Sequence, residues 1–378
     1  MSKRLNPFII KGYYSKEYFC DRENELKILH RNFENNANTC LISARKMGKS
    51  ALIFRFFDDF KRDNDTICIY LDIYQSRSIN DFINLLAEAI LKIFQGKNLS
   101  GSKFIRFIKS IRPVISYDPL NGSPQVQFNF QTDEEKKHKL FTLFNFLESQ
   151  GKKILLVIDE FQQITFYPEK NTEALLRTYV EQLKNINFIF CGSNQHIMNQ
   201  MFTIANRPFF GSTRLLSLDV INRKEYLSFI RLQFENNKKS ISDEALDLIA
   251  NWTMLHTFYT QNLCNTIFSD HNRNIVINIV KTSISDVLKE NEMYYYQYRQ
   301  FLTTAQWNYL IAVAKEEFVV QATSQSFIYK YGIGTPANSR RLLKSLTDKE
   351  MLLEVHTHEG SNYRIYDVFF LRWLQLTY

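Results

Sequence analysis

The sequence predicts an α/β protein in which a parallel sheet with an inserted hairpin is followed by a helical domain and a winged helix-turn-helix. Three observations lead there. Apolar, β-rich runs recur at residues 39–43, 66–73, 153–158, 187–192 and 214–220, separated by amphipathic stretches long enough for helices, and such alternation indicates a parallel sheet. After Val220 the pattern turns helical. The last section reads as three helices and two strands, the arrangement of a winged helix.

Taken in order, the first run leads through a Gly-Lys-Ser turn into an amphipathic helix over 51–60. Between the second and third runs, residues 95–137 contain Arg112-Pro113, Asp118-Pro119 and Asn121-Gly122-Ser123-Pro124. Alternating segments at 114–117 and 126–130 flank these turn signals, as in an inserted β-hairpin. Beyond Val220, helices are expected over 223–236, 242–252, 259–269 and 276–292, with Ser242-Asp243-Glu244-Ala245 as a helix start. Leu302-Thr303-Thr304 opens a helix over 305–315, followed by helices at 324–331 and 337–347 and strands at 352–356 and 363–366. The expected domains are therefore 1–220, with the hairpin insertion at about 96–137, then 221–292 and 293–378.

Composition narrows the function classes. The chain has 378 residues, 45% hydrophobic and 23% charged, which fits a soluble globular protein of more than one core. No apolar run approaches the ~20 residues that span a bilayer, and the start, Met1-Ser2-Lys3-Arg4-Leu5-Asn6-Pro7-Phe8, has no apolar signal region. A cytoplasmic protein with no membrane partner is expected. Cys20, Cys40, Cys68, Cys191 and Cys264 are scattered and read as reduced core thiols; His138, His196, His256 and His271 show no metal spacing. A net charge of +8 favours a polyanionic partner or a solvated surface, and does not choose between them. No repeat period indicates a solenoid.

The chemistry concentrates at Ser43-Ala44-Arg45-Lys46-Met47-Gly48-Lys49-Ser50-Ala51, between an apolar strand and a helix. A phosphate loop belongs there: backbone N–H groups and the helix dipole converge on a β-phosphate, Lys49 reaches the β/γ oxygens, and Ser50 offers its hydroxyl to Mg²⁺. Gly48 lets the phosphate approach the backbone. The second part is Asp159-Glu160, closing an apolar strand at the edge where open α/β sheets bind ligands. Asp159 is expected to hold Mg²⁺ through a water and Glu160 to polarise the attacking water. A third strand ends in Gly192-Ser193-Asn194, where Asn194, or alternatively Ser193, is expected to sense the γ-phosphate. Arg207 and Arg214 are candidates for a charge supplied in trans. No acidic cluster beyond Asp159 and Glu160 supports a nuclease.

With these parts placed, the chain resembles the archaeal-type ATPases, AAA+ relatives in the signal-transducing, STAND-like group. The residues that carry the resemblance are Asn6-Pro7-Phe8, Arg22-Glu23-Asn24-Glu25, the phosphate loop, Ile158-Asp159-Glu160-Phe161-Gln162, Cys191-Gly192-Ser193-Asn194 and the closing segment from Tyr363 to Leu374. The resemblance implies a sheet of order 5-1-4-3-2, a helical lid, a winged helix, and hydrolysis of Mg·ATP that is slow without a partner. It also implies that Arg22 borders the adenine. Two departures stand out: Ser43 replaces the first glycine of the loop, and Met254-Leu255-His256-Thr257-Phe258-Tyr259 stands where the family usually has a Gly-Gly-x-Pro turn.

The expected function is an ATP-driven conformational switch. The alternative is a scaffold that binds nucleotide without hydrolysing it. On the third winged-helix helix, Asn338, Ser339, Arg340, Arg341 and Lys344 suit contact with DNA. The acids Glu316, Glu317, Glu354 and Glu359 nearly offset that charge, so a protein partner fits as well. Monomer, dimer and ring all suit such a chain.

Overall fold

The computed structural model describes residues 6–95, 102–111, 114–117, 124–128, 130, 132–357 and 360–378. The chain divides into two compact units. One is Gly12–Val220, and the other combines Ile221–Tyr378 with the residues up to 11.

In the first unit the elements run Glu23–Glu34 (α1), Thr39–Ile42 (β1), Lys49–Asp58 (α2), Thr66–Asp72 (β2), Ile79–Gln95 (α3), Ser102–Ile111 (α4), Val114–Tyr117 (β3) and Pro124–Gln127 (β4). They continue with Asp133–Glu148 (α5), Lys153–Asp159 (β5), Thr172–Gln182 (α6), Ile186–Gly192 (β6), Gln195–Thr203 (α7) and Arg214–Ser217 (β7). The five-stranded sheet has the order β2-β5-β6-β1-β7, all parallel, which is 5-1-4-3-2 when the sheet strands alone are counted.

Burial on both faces explains why these strands read as continuous apolar runs. Along β5, Ile154, Leu156 and Ile158 enter one core with Phe188 and Phe190, against residues of α3, α5 and α7. Leu155 and Val157 point the other way, into a core with Leu41, Ile189 and residues of α1 and α2. Each such side chain contributes about 1.5–3 kcal/mol by leaving water. A sheet clamped from both faces in this way holds its C-terminal edge rigidly.

The insertion contains the expected antiparallel pair, β3 with β4. Its turn residues 118–123 and Arg112-Pro113 lie outside the described residues. Helix α3 captures this pair: Glu88 Oε1 accepts from Val126 N at 2.8 Å and Asn84 Oδ1 from Phe128 N at 3.2 Å.

In the second unit the order is Arg223–Asn236 (α8), Ser240–Ile241 (β8), Asp243–Trp252 (α9), Thr257–Ser269 (α10), Asn274–Ile275 (β9) and Ile277–Phe301 (α11). Then come Thr304–Glu316 (α12), Gln325–Tyr331 (α13), Pro336–Asp348 (α14), Leu352–Thr357 (β10), Gly360–Ile365 (β11) and Val368–Thr377 (α15). The caps explain the helix starts. Ser242 Oγ accepts from Ala245 N, and Thr303 and Gln306 form a reciprocal capping box.

Three features differ from expectation. Helix α11 does not stop at 292 but runs 25 residues to Phe301, so the expected boundary at 292/293 cuts a continuous helix. The added turns stay folded because Tyr295 packs on Phe370 and Trp373, with ring centroids 5.2 and 5.4 Å apart. These partners belong to α15, a closing helix not anticipated from the sequence. The same helix joins the winged helix to the preceding helices: Arg372 donates to the Trp252 and Asn251 carbonyls, each at 3.0 Å. Finally, Asn6-Pro7-Phe8 belongs to this unit. Asn6 Nδ2 donates to Asn265 O, Asn265 Nδ2 donates to Phe8 O, and the fully buried Phe8 ring lies 4.9 Å from Phe234.

Candidate nucleotide site

The site lies wholly within the first unit, where β1 enters α2 and β5 ends. Gly48 caps α2 with φ 96°, a conformation that an L side chain resists. Lys46, at φ 63°, makes the loop's other left-handed turn. Ser43 is fully buried and its Oγ donates to the Ala44 carbonyl at 3.0 Å, so the loop closes without the family's first glycine. Ala44 and Met47 are buried, Arg45 and Lys46 exposed, and Ala51 half-buried.

Lys49 is 8% exposed, and its Nζ lies 3.9 Å from Glu160 Oε1. One residue on, Ser50 Oγ donates to Asp159 Oδ2 at 3.2 Å. The start of α2 and the end of β5 therefore meet, residue for residue, as the two motifs require. The Glu160 N–H donates to Asp159 Oδ1 at 3.0 Å. Glu160 itself is left-handed, φ 56°, and opens a tight 3-10 helix at Phe161–Phe166. A hydroxyl oxygen and a carboxylate oxygen side by side are the hard donors that suit Mg²⁺, which keeps several of its waters.

Three side chains that the sequence reading did not place there, Tyr70, Asp72 and Gln162, join this site, together with Ser193, the alternative sensor. Tyr70 donates to Asp159 and approaches Ser50 Oγ at 3.4 Å. Asp72, two residues further along β2, lies opposite Asp159 in the strand register. Partial burial raises the Asp72 pKa, as do the charges of Asp159 and Glu160, against the Tyr74 N–H and Lys49. Ser193 Oγ donates to Glu160 Oε2 at 2.8 Å, and Gln162 Nε2 donates to the same oxygen. The available signal was the order of the sheet: β2 lies beside β5, so Tyr70 and Asp72, on one face by period two, flank Asp159.

The other expected residues sit as follows. Asn194 caps α7, its Oδ1 accepting from Ile197 N at 3.1 Å, while its neighbour Ser193 is the one bonded to Glu160. Arg22 is 5% exposed; its guanidinium donates to Glu25 and to the Asp219 carbonyl, tying the start of α1 to the segment after β7. Arg207 pairs with Glu173 of α6, and Arg214 donates to Asn32 at 3.2 Å. Both candidates for a charge in trans thus have partners within their own unit.

In the second unit, Arg340, Arg341 and Lys344 are exposed on α14. Ser339 is a correction to the expected contact set. It is fully buried, bonded to Tyr309 and to the Ala322 carbonyl, and so holds the helix in place. None of the five cysteines is in a disulfide, and four are buried. Burial pushes the thiols of Cys40, Cys191 and Cys264 up, which keeps them protonated and inert. Among the described residues, no helix is long and apolar enough to cross a membrane.

Comparison with known proteins gives a similar fold. The chain is similar over 98% of its length to 99% of a Walker-type ATPase of Pyrococcus abyssi, at 17% identity and a TM-score of 0.65. It is also similar to the ORC2 protein of Aeropyrum pernix, solved as ADPNP and ADP complexes, at 14% identity and TM-score 0.62, covering 99% of this chain and 96% of that one. The Aeropyrum pernix ORC1 protein, solved with DNA, follows at 11% identity and TM-score 0.51, with 94% and 92% covered. At such identities the likeness shows the fold alone. No curated protein matches. A model of a probable winged helix domain matches residues 293–376. A model of the ATPase domain found predominantly in Archaea matches residues 19–256, the span that holds both the loop of Lys49 and the acids closing β5, and the chain belongs to that ATPase family.

Proposed function

We propose that this protein binds and hydrolyses Mg·ATP in the first unit and uses the nucleotide state to bias the arrangement of its helical and winged-helix parts. The observation that carries this reading is the double approach of α2 to β5, Lys49 to Glu160 at 3.9 Å and Ser50 to Asp159 at 3.2 Å.

In this reading the backbone of residues 43–51 and the α2 dipole bind the phosphates. Lys49 leaves Glu160 for the β/γ oxygens when the triphosphate arrives. Ser50 and Asp159 hold Mg²⁺, which supplies charge neutralisation for the transferring phosphoryl group. Glu160 acts as general base on the attacking water. Ser193, bonded to Glu160, takes the sensor role ahead of Asn194, whose acceptor caps a helix. Arg22 borders the adenine side by fixing α1 against the residues after β7. Residues 221–292 serve as the lid and 293–378 as the winged helix, coupled through α11 and α15. For the winged helix we favour DNA as partner, on the three exposed cations of α14 and on the similarity to a protein solved with DNA.

The test is phosphate release by wild type, Lys49→Ala and Glu160→Gln, with ATP binding measured alongside. The proposal expects loss of binding in the first variant, and retained binding with lost turnover in the second. Equal slow release from wild type and Glu160→Gln would favour the non-hydrolysing scaffold. Binding untouched by Lys49→Ala would remove the site altogether.

A further inference from the structure

We infer that Gln162 is a positioning residue for Glu160, holding its carboxylate through the side-chain amide, and that Gly192 lacks a side chain so that this amide has room. The inference rests on reading Glu160 as the general base.

The backbone sets up the contact. Because Glu160 is left-handed and the next residues wind as a 3-10 helix, the side chain two residues on is turned back toward it. Gln162 is 6% exposed, and its Nε2 donates to Glu160 Oε2, the oxygen that also accepts from Ser193 Oγ. Its Oε1 is buried and accepts from no described residue. A leucine of similar size keeps the packing and removes the amide, so that substitution separates a structural role from a functional one. The hydrogen bond Gln162 does make is directed at Glu160.

Gly192 gives independent support from another strand. A Cβ built there would stand 2.5 Å from Gln162 Oε1 and would also collide with Met198. No left-handed φ demands a glycine at 192. Space is the reason for it, and the space is taken by the amide and by Met198. Two elements, the turn after β5 and the end of β6, thus converge to fix one carboxylate.

The chemical gain is orientation. A glutamate acts as base only from within hydrogen-bond reach of the water it polarises, and a side chain with three torsions rarely stays there unaided. With Oε2 held by Gln162 and Ser193, Oε1 is left on the side of Lys49.

The test uses the full-length chain with Gln162→Leu and Gly192→Ala. Steady-state ATPase kinetics and thermal unfolding are read together. The expected result for Gln162→Leu is a fall in kcat of about 10- to 100-fold, with KM for ATP unchanged and the melting midpoint unchanged or higher. Gly192→Ala is expected to lower kcat in the same direction by displacing the amide. A Gln162→Leu protein within twofold of wild-type kcat overturns the inference, as does a loss accompanied by a raised KM and a lowered midpoint, the pattern of a structural residue. A wild type that binds ATP without turning it over sinks the general-base reading and this inference together. That outcome is recognised in the wild type itself, before any variant is compared.

Discussion

Tyr70 donates a hydrogen bond to Asp159, the same carboxylate that accepts from Ser50 at 3.2 Å. Burial, then the negative charge of Asp159, pushes the Tyr70 hydroxyl well above its usual range, so it stays a proton donor at neutral pH. With Asp159 holding Mg²⁺ as proposed, an outer donor of this kind would orient its carboxylate. Tyr70→Phe keeps the ring against Phe54, 4.9 Å away, and removes the donor alone. The Mg²⁺ concentration for half-maximal ATPase is expected to rise roughly tenfold, with the KM for ATP unchanged at saturating Mg²⁺. Superimposable magnesium titrations would remove Tyr70 from the site.

Why Tyr70 escaped the sequence reading, when Lys49 and Asp159 did not, is a matter of range. Gly48-Lys49-Ser50 is a local pattern whose chemistry is set by one turn, and an apolar run closing on Asp159-Glu160 is equally local. Tyr70 and Asp72 gain their meaning only from the β2–β5 register, a pairing between residues 87 positions apart. Helix α15 escaped for a similar reason. Its residues Phe369, Phe370 and Trp373 form a helix because α9, α10, α11 and α12 offer them a surface, through Trp252, Tyr259, Tyr295 and Trp307. The sheet order was accessible because the resemblance implied it, and buried parallel strands advertise themselves as apolar runs.

Arg207 is a structural partner in this structure, bonded to the half-buried Glu173, whose carboxyl is pushed up by burial against the pull of the arginine. Arg207→Ala strands that acid. Stability is expected to fall by about 2 kcal/mol, between the values for exposed and buried pairs, measured by urea unfolding. Unchanged unfolding with lost ATPase would instead return Arg207 to the role of a charge supplied in trans.

Asp59 gathers Arg55, His30 and Lys16, linking α2, α1 and the segment before it. Burial opposes ionisation, but the three donors prevail and push its carboxyl down to about 2. A depressed folded pKa means stability that is present above the unfolded value and is lost as pH falls from about 4 toward 2. Discounted for solvent screening, Asp59→Asn is expected to cost about 1 kcal/mol at pH 7. The gap should close near pH 2, and a gap independent of pH would contradict the assignment.

On α14, Arg340, Arg341 and Lys344 face solvent while Ser339 faces the core. If the two arginines neutralise phosphates, removing both should weaken duplex binding and flatten the log–log salt slope by about 1.8, from ~0.9 per phosphate. Unaltered binding and slope would shift the winged helix to a protein partner.

The turn between α9 and α10 retains the backbone that glycines would favour without having them. Met254 and Leu255 are both left-handed, at φ 53° and 55°, within the segment where the resemblance implies a Gly-Gly-x-Pro turn. A β-carbon in that region costs on the order of 1 kcal/mol, so the turn is held by its surroundings, including Thr253, which is fully buried and bonded to Thr260 at 2.8 Å. Comparing Leu255→Ala with Leu255→Gly separates backbone from side chain, since both delete nearly the same half-buried group. The glycine variant should be the more stable by up to ~1 kcal/mol, the reverse of the order in a helix or strand. Were alanine the better tolerated, the left-handed turn would be wrong. With it would go the idea that packing, rather than glycine, holds this turn.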